Sequence, residues 1–282
     1  MKKVSDIRPS PIAGTWYEGR PKALAEEIDR YLDQARLPEY SGTVIAVIAP
    51  HAGHRYSGAV AGYAFAAVRG RSPGLVAVIS PMHHPYHQAL LTTSHDAYAT
   101  PLGNIPVDKQ AIASLDAALM TDLGIHLSPI TNDPEHSLEI ELPFLQRSLV
   151  GEFTLLPVMV RAQEPKVSKG LGKALAGVLR GQDALLVAST DLSHFYTQVV
   201  AKALDAEMLA QIEAFSPDGA FEAEKSGKGS ACGLGALAAV LWAAQELGAD
   251  TVKVLHHATS GDVTGDFSSV VGYGAAVVLK SK

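Results

Sequence analysis

Five histidines lie in three short segments of this 282-residue chain, and each segment comes directly after a run of apolar residues. The first segment holds His51 and His54, the second holds His83 and His84, and the third ends in His194. Imidazole is a common metal ligand and the side chain best suited to moving protons near neutral pH. If the three segments meet in the fold, they form a metal site or an acid–base site.

The apolar runs that precede these segments have the composition of buried strands. Residues 44–49, 75–79 and 184–188 are short, apolar and partly β-branched, as is typical of central strands in a parallel sheet. In open α/β sheets, ligands bind in the crevice outside the carboxyl ends of such strands. The pattern therefore predicts that the histidines lie together at one edge of the sheet.

The composition is that of a globular protein and excludes several classes. The chain is 47% hydrophobic and 18% charged, and its net charge of −6, with no cluster of basic residues, argues against a nucleic-acid surface. The longest apolar stretch, near residues 234–244, is too short to cross a membrane. No apolar segment follows the basic first residues, which argues against a signal peptide. A single cysteine, Cys232, excludes an intrachain disulfide and suits a reducing cytoplasm.

Strand-like and helix-like segments alternate along the whole chain, and no linker or repeat divides it. This alternation predicts one α/β domain over residues 1–282, with a mainly parallel central sheet and helices on both faces. The segment 85–107 is polar and rich in turn residues, and we expect a turn-rich excursion there. The helices are predicted at 22–36, 58–68, 109–119, 137–149, 165–180, 201–215 and 231–247. Further strands are predicted at 153–160, 252–255 and 268–279.

The local spacing leaves alternatives open at several histidines. Asp191 precedes His194 by three positions, so on a helical turn its carboxylate could orient an imidazole, or it could simply cap a short helix. His83 and His84 are adjacent, and neighbouring side chains of extended backbone point to opposite sides. We therefore expect at most one of those two residues to bind a given metal ion.

Two further segments could contribute to the same site. Cys232 comes just before an alanine-rich helix, and a helix N-terminus lowers the pKa of a thiol, although single cysteines are more often small buried apolar residues. His136 and Glu139 lie three apart in an acidic segment, 133–146. We expect both to contact substrate or to support the ligands from behind, while an acidic first turn is equally explained by the helix dipole.

Taken together, these motifs resemble those of one protein family. The chain resembles the Memo family, also called AmmeMemoRadiSam system protein B, over essentially its whole length. Members of this family are similar in fold to the class III extradiol dioxygenases of the LigB type, which hold ferrous iron with two histidines and a carboxylate and use a further histidine as acid and base. The residues that carry the resemblance are 8–17 (RPSPIAGTWY), 49–53 (APHAG), 80–84 (SPMHH), 133–139 (DPEHSLE), 189–194 (STDLSH) and 259–262 (TSGD).

The resemblance implies a role for several of these side chains. It makes His51 and His83 the histidine ligands of a metal, puts Cys232 in place of the carboxylate, and makes His194 the acid–base residue, with Asp191 beside it. A thiolate favours iron or copper over magnesium or calcium, so Fe(II) is the expected cofactor, with copper or zinc as alternatives. The family commonly has an aromatic residue where this chain has His54.

His54 could be an additional ligand, an additional base or only a surface replacement. We group it with Tyr56, His84, His136 and Glu139 as residues that contact the substrate or lie behind the ligands. The function implied first is a metal-dependent, dioxygenase-like oxidoreductase acting on a small diol-like molecule. The alternatives are a protein that binds a metal, a ligand or a peptide without catalysis, and a metal-dependent hydrolase. The family label also implies radical-SAM and AMMECR-type proteins as partners, and neither a nucleic acid nor a membrane is expected.

Overall fold

The computed structural model describes residues 6–281, whose centre is a nine-stranded sheet in the order β10-β12-β2-β9-β3-β8-β4-β7, with β11 paired to β12. A three-stranded sheet, β1-β5-β6, lies apart from it. The strands are β1 (Ile7–Arg8), β2 (Thr43–Ala49), β3 (Leu75–Pro81), β4 (Leu90–Thr93), β5 (Ala97–Thr100), β6 (Gly103–Pro106), β7 (Leu127–Ile130), β8 (Thr154–Val160), β9 (Ala184–Ser189), β10 (His194–Tyr196), β11 (Thr251–Thr259) and β12 (Val270–Lys280). The helices are α1 (Pro21–Gln34), α2 (His54–Ala66), α3 (Lys109–Leu123), α4 (Leu142–Ser148), α5 (Pro165–Leu179), α6 (Gln198–Glu213), α7 (Pro217–Lys225), α8 (Leu234–Glu246) and α9 (Gly261–Thr264).

The predicted α/β fold is confirmed, because the middle of the sheet is parallel and covered on both faces. Strands β2, β9, β3 and β8 are paired in parallel, and every residue of β3 is buried. Side chains of β2 alternate between two cores: Ala46 and Ile48 pack in one with α5 and α8, and Val47 and Ala49 in the other with α1 and α2. These runs are apolar without interruption because both faces of each strand are covered.

The flanks of the sheet differ from the prediction, since the sheet is mixed. β12 pairs antiparallel with β2, with β11 and with β10, and β4 pairs antiparallel with β8. Strands β11 and β12 are joined by residues 260–269, which contain only the four-residue helix α9, and consecutive strands joined by a connection this short run antiparallel.

Several local predictions were wrong. The segment 85–107, predicted as a polar, turn-rich excursion, contains the three short strands β4, β5 and β6, and nearly all residues of β4 and β5 are buried. The helix predicted at 137–149 begins later, as a 3-10 turn over Glu139–Glu141 that continues into α4. The helical turn considered for Asp191 and His194 does not form, because His194 starts the short strand β10.

Two further predictions concern the start of the chain and the membrane. The basic first residues, on which the absence of a signal peptide was predicted, lie outside residues 6–281. Within that part of the chain, none of the helices combines the length and apolar character needed to cross a bilayer.

Candidate metal centre

The three histidine segments meet at the carboxyl end of the parallel strands. His51 follows β2, His83 follows β3, and Asp191 follows β9, which pairs between those two strands in the sheet. Adjacent parallel strands deliver the residues after their carboxyl ends to one edge. The topology of the sheet therefore brings together side chains that are far apart in the sequence.

Three imidazoles form the group that could hold a metal ion. One ring nitrogen from each of His51, His83 and His136 lies within 4.8 Å of the other two. The rings of His83 and His136 stack with their centroids 4.9 Å apart, and the ring of His51 meets both edge-on. His84, the neighbour of His83, is half-buried and lies outside this group of three.

A buried carboxylate, that of Glu135, holds two of the three histidines. Its Oε1 accepts a hydrogen bond from His83 Nδ1 at 2.9 Å and its Oε2 accepts one from the His83 backbone N–H at 2.6 Å. The same Oε1 also accepts from the backbone N–H groups of His136 and Ser137, at 3.0 and 2.9 Å. Burial opposes ionisation, but the hydrogen bonds from His83 prevail and hold the pKa of Glu135 well below its usual range. With Nδ1 of His83 so engaged, Nε2 is left to face the site.

His51 is fixed by hydrogen bonds on both its backbone and its ring. Its backbone N–H donates to Asp191 Oδ1 at 2.8 Å, and its Nδ1 lies 2.9 Å from Ser189 Oγ. Its Nε2 lies 3.1 Å from the sulfur of Cys232. Burial is the main reason that the pKa of His51 lies well below the usual value, and the nearby His83 is the second. The ring is therefore neutral at pH 7, which is the form that binds a metal.

Cys232 lies beside His51, but its thiol is not activated. The residue stands just before α8, and the backbone N–H of Asp191 donates to its sulfur at 3.3 Å. Burial, reinforced by the Asp191 carboxylate, raises the pKa of the Cys232 thiol well above its usual value. Of the two possibilities that the sequence left open for Cys232, this direction agrees with a cysteine packed among apolar neighbours, because desolvation of the half-buried thiol outweighs the helix dipole.

His194 and Asp191 complete the polar wall of the site. His194 Nδ1 lies 2.8 Å from the carbonyl oxygen of Leu192, so Nδ1 carries the proton and donates it to that oxygen. Nε2 is then the basic nitrogen, and burial lowers the pKa of His194. Asp191 contacts the backbone at His51 rather than an imidazole, and burial raises its pKa to about 7.

Two of the residues expected to contact substrate or to lie behind the ligands are part of the packed interior. His54 is 2% exposed, so it is not a surface replacement, and its ring packs against Phe144 and Tyr17 at centroid distances of 4.9 and 5.3 Å. Glu139 is fully buried and is ion-paired with the guanidinium of Arg8. Both side chains therefore make the contacts that are typical of core residues.

A cavity of about 500 Å³ opens beside the histidines. It is lined mainly by aromatic and small residues, among them Trp16, Tyr56, Phe195 and Tyr273. Trp16 also packs on the ring of His136, with centroids 4.1 Å apart, so this one side chain links the cavity to the three-imidazole group. Phe195 is a non-glycine residue with φ of +65°, a strained conformation that often accompanies functional sites.

The sequence did not predict which contacts the segment around His136 makes. It placed the whole segment 133–146, Glu135 included, in contact with substrate or behind the ligands, and it assigned no role to Ser189. The structure places His136 with His51 and His83, and Glu135 lies behind the ligands, hydrogen-bonded to the His83 ring and to the backbone of His136. The available signal was the density of acidic residues in a segment that is otherwise apolar, because carboxylates buried in such surroundings need partners.

The fold and the three-imidazole group define an α/β protein with a candidate metal centre at the carboxyl edge of its sheet. Residues 8–277 match the protein family described as Memo-like protein, and this chain belongs to that family. It is 35% identical over 277 residues to a MEMO1 family protein of Methanothermobacter thermautotrophicus, a match that covers 95% of this chain and 98% of the relative. MEMO1 family proteins of Nitrosopumilus maritimus and Thermotoga maritima are 32% and 33% identical to it, over 95% and 96% of this chain and 98% and 99% of each relative.

Proposed function

We propose that this protein is a metal-dependent oxidoreductase that binds iron, or alternatively copper, and acts on a small diol-like molecule. The observation that carries the proposal is the group of three imidazoles at the carboxyl edge of the sheet, with a thiol and a further basic histidine beside it. Residues 1–282 act as one domain. The single cysteine and the family resemblance support a reducing cytoplasm with radical-SAM and AMMECR-type partners.

The donor atoms fit a transition metal rather than magnesium or calcium. Imidazole nitrogen and thiolate sulfur suit iron, copper and zinc, whereas magnesium and calcium prefer oxygen. His51 and His83 would hold the metal, with Cys232 as the third ligand that the family resemblance implies and His136 as a further nitrogen donor that the geometry adds. When bound, the metal supplies a charged centre that draws substrate and oxidant together and passes electrons between them.

The residues around the donors bind the substrate and move its proton. A diol bound as an anion must lose a proton on entry, and the neutral His194 has its free Nε2 available to accept it. Leu192 fixes the orientation of that ring through its carbonyl oxygen. The mainly apolar cavity beside Trp16 has the size of a pocket for a small molecule and would hold the substrate next to the three-imidazole group.

The proposal is tested by the metal content of protein purified without oxygen. We expect nearly one iron or copper per chain in wild type and loss of that metal in His51→Ala and Cys232→Ala. His84→Ala is a matched control, because His84 lies outside the three-imidazole group and should leave the metal in place. Oxygen uptake with catechol-like diols would then be measured on the loaded protein. A metal content that does not respond to His51→Ala contradicts the proposed centre.

Proton counting identifies the third ligand. Because burial keeps the Cys232 thiol protonated, binding of Co²⁺ through its sulfur must release a proton. We expect calorimetry in buffers of different ionisation enthalpy to detect this release in wild type and not in Cys232→Ser. If wild type releases none, the metal is held by the three imidazoles alone.

A second candidate function, hydrolysis, is supported by His136. Three imidazoles are the ligand set of some catalytic zinc sites, in which bound water is the nucleophile. His194 would then be the base, because Glu139 is buried in its ion pair with Arg8. Activity that persists with zinc alone and without oxygen favours this function over oxidation.

A further inference from the structure

A buried carboxyl, that of Glu141, lies behind His51 on the side away from Cys232. Glu141 is fully buried, and its Oε1 lies 2.7 Å from Ser189 Oγ. The same Ser189 Oγ lies 2.9 Å from His51 Nδ1 and 2.7 Å from the carbonyl oxygen of Ser137. The other carboxyl oxygen of Glu141, Oε2, has no hydrogen-bond partner among the described residues.

Counting protons at Ser189 decides how these groups are arranged. A serine hydroxyl has one proton to donate and can accept two hydrogen bonds, whereas a backbone carbonyl can only accept. All three contacts are satisfied together only if Ser189 donates to Ser137 and accepts from both Glu141 and His51. Glu141 must then carry a proton on Oε1, and His51 must carry one on Nδ1.

The unpaired Oε2 supports the same arrangement. An ionised carboxylate with one oxygen buried and unpartnered is far more costly than a neutral acid in the same place. The charged group that acts on Glu141 is Asp191, another buried carboxyl. No positive charge therefore offsets the cost of burying an ionised Glu141. Burial accordingly raises the pKa of Glu141 well above its usual value.

We infer that Glu141 is a protonated positioning residue that acts through Ser189 to fix His51 as the Nδ1–H tautomer. The lone pair of His51 Nε2 then points at Cys232, whose sulfur lies 3.1 Å away, and into the group of three imidazoles. The tautomer of His51 does not depend on the proposed function. Its effect on metal affinity rests on the proposed metal centre, and the two are measured separately.

The tautomer is measured by long-range ¹H–¹⁵N correlation NMR on metal-free protein labelled with ¹⁵N-histidine. The resonances of His51 are assigned by their loss in His51→Asn. We expect an Nδ1–H ring in wild type and in Glu141→Gln, since the glutamine amide can donate to Ser189 as the acid does. Glu141→Leu, which cannot donate, should give a mixture of tautomers. An Nε2–H ring in wild type, or an unchanged ring in Glu141→Leu, overturns the inference.

Metal affinity and infrared spectra complete the test. Co²⁺ affinity should fall about 10- to 100-fold in Glu141→Leu and change less than about 3-fold in Glu141→Gln, as for other residues that orient metal ligands. The infrared difference between wild type and Glu141→Gln at pH 8 should contain the carbonyl stretch of a protonated carboxyl. A carboxylate band in its place overturns the protonated state. If Glu141→Leu does not fold, Ser189→Ala removes the same link and should also mix the tautomers.

Discussion

Replacement of Arg8 by methionine should destabilise the protein strongly, although Arg8 is remote from the candidate metal ligands in sequence. Arg8 is 1% exposed and its guanidinium donates to both carboxyl oxygens of Asp133, each at 2.9 Å. It is also ion-paired with Glu139 and donates to the carbonyl oxygen of Glu135 at 2.9 Å. One cation thus holds the whole segment that carries Glu135, and that residue in turn holds two of the histidines.

The magnitude follows from what the substitution leaves behind. Arg8→Met leaves two carboxylates, those of Asp133 and Glu139, without their cationic partner, although their side chains are at most 1% exposed. Breaking a buried ion pair from one side costs about 3–5 kcal/mol. A chain of this size loses roughly 2–4 °C of melting temperature per kcal/mol, so the expected decrease is roughly 6–20 °C.

The stability lost in Arg8→Met should be larger at higher pH. Burial already raises the pKa of Glu139, and removal of the cation raises it further in the folded variant. A carboxyl with a raised folded-state pKa favours the folded state at low pH and loses that contribution as the pH rises through the folded-state value. The difference in unfolding free energy between wild type and Arg8→Met should therefore be smaller near pH 5 than at pH 8.

The assay is urea unfolding followed by circular dichroism at both pH values, with Arg20→Met as the matched control. Arg20 is paired with Glu18 at the surface, where its side chain is 79% exposed, and pairs so open to solvent contribute little to stability. The reasoning is refuted if Arg8→Met costs no more than the control. It is also refuted if the loss is the same at pH 5 and pH 8.

Three further outcomes are expected around the site. Glu135→Gln removes the carboxylate that orients the His83 ring and accepts from the backbone N–H of His136, and Co²⁺ affinity should fall about 10- to 100-fold, whereas Glu152→Gln at the surface should leave it unchanged. His194→Gln should abolish proton transfer and turnover while the metal content stays that of wild type; loss of the metal would contradict its assigned role. The chain has two tryptophans, so Trp242→Phe leaves Trp16 as the sole tryptophan, and Cu²⁺ binding should quench its fluorescence in that variant.

The strands that position the site could be read from the sequence because their signal is local. Residues 75–79 are apolar without interruption, and a run of that length between turn residues is explained by a strand covered on both faces. The histidine after each such run was therefore placed correctly at the edge of the sheet. The antiparallel flank was not foreseen, because pairing direction depends on which strands meet rather than on their composition.

Side chains whose role depends on distant partners could not be read in this way. The contact of Glu135 with His83 joins residues 52 positions apart, and that of Ser189 with Glu141 joins residues 48 apart. His54 follows the same first strand as His51, yet one ring faces the candidate site and the other packs on Phe144. Residue type and spacing do not distinguish these environments, since burial and partner are set by the tertiary fold.

The donor atoms of the candidate centre come together only in the folded state. Binding of a metal at this centre therefore changes the stability of the protein. His51 and Cys232 are separated by 181 positions, so an unfolded chain does not present them as one site. A metal that binds the folded state alone raises its stability by about 2.7 kcal/mol at a free concentration 100 times Kd. The loaded protein should therefore open less often and resist proteolysis longer than the empty one. With the proposed metal centre, the supply of metal in the cell would then influence how long this protein survives.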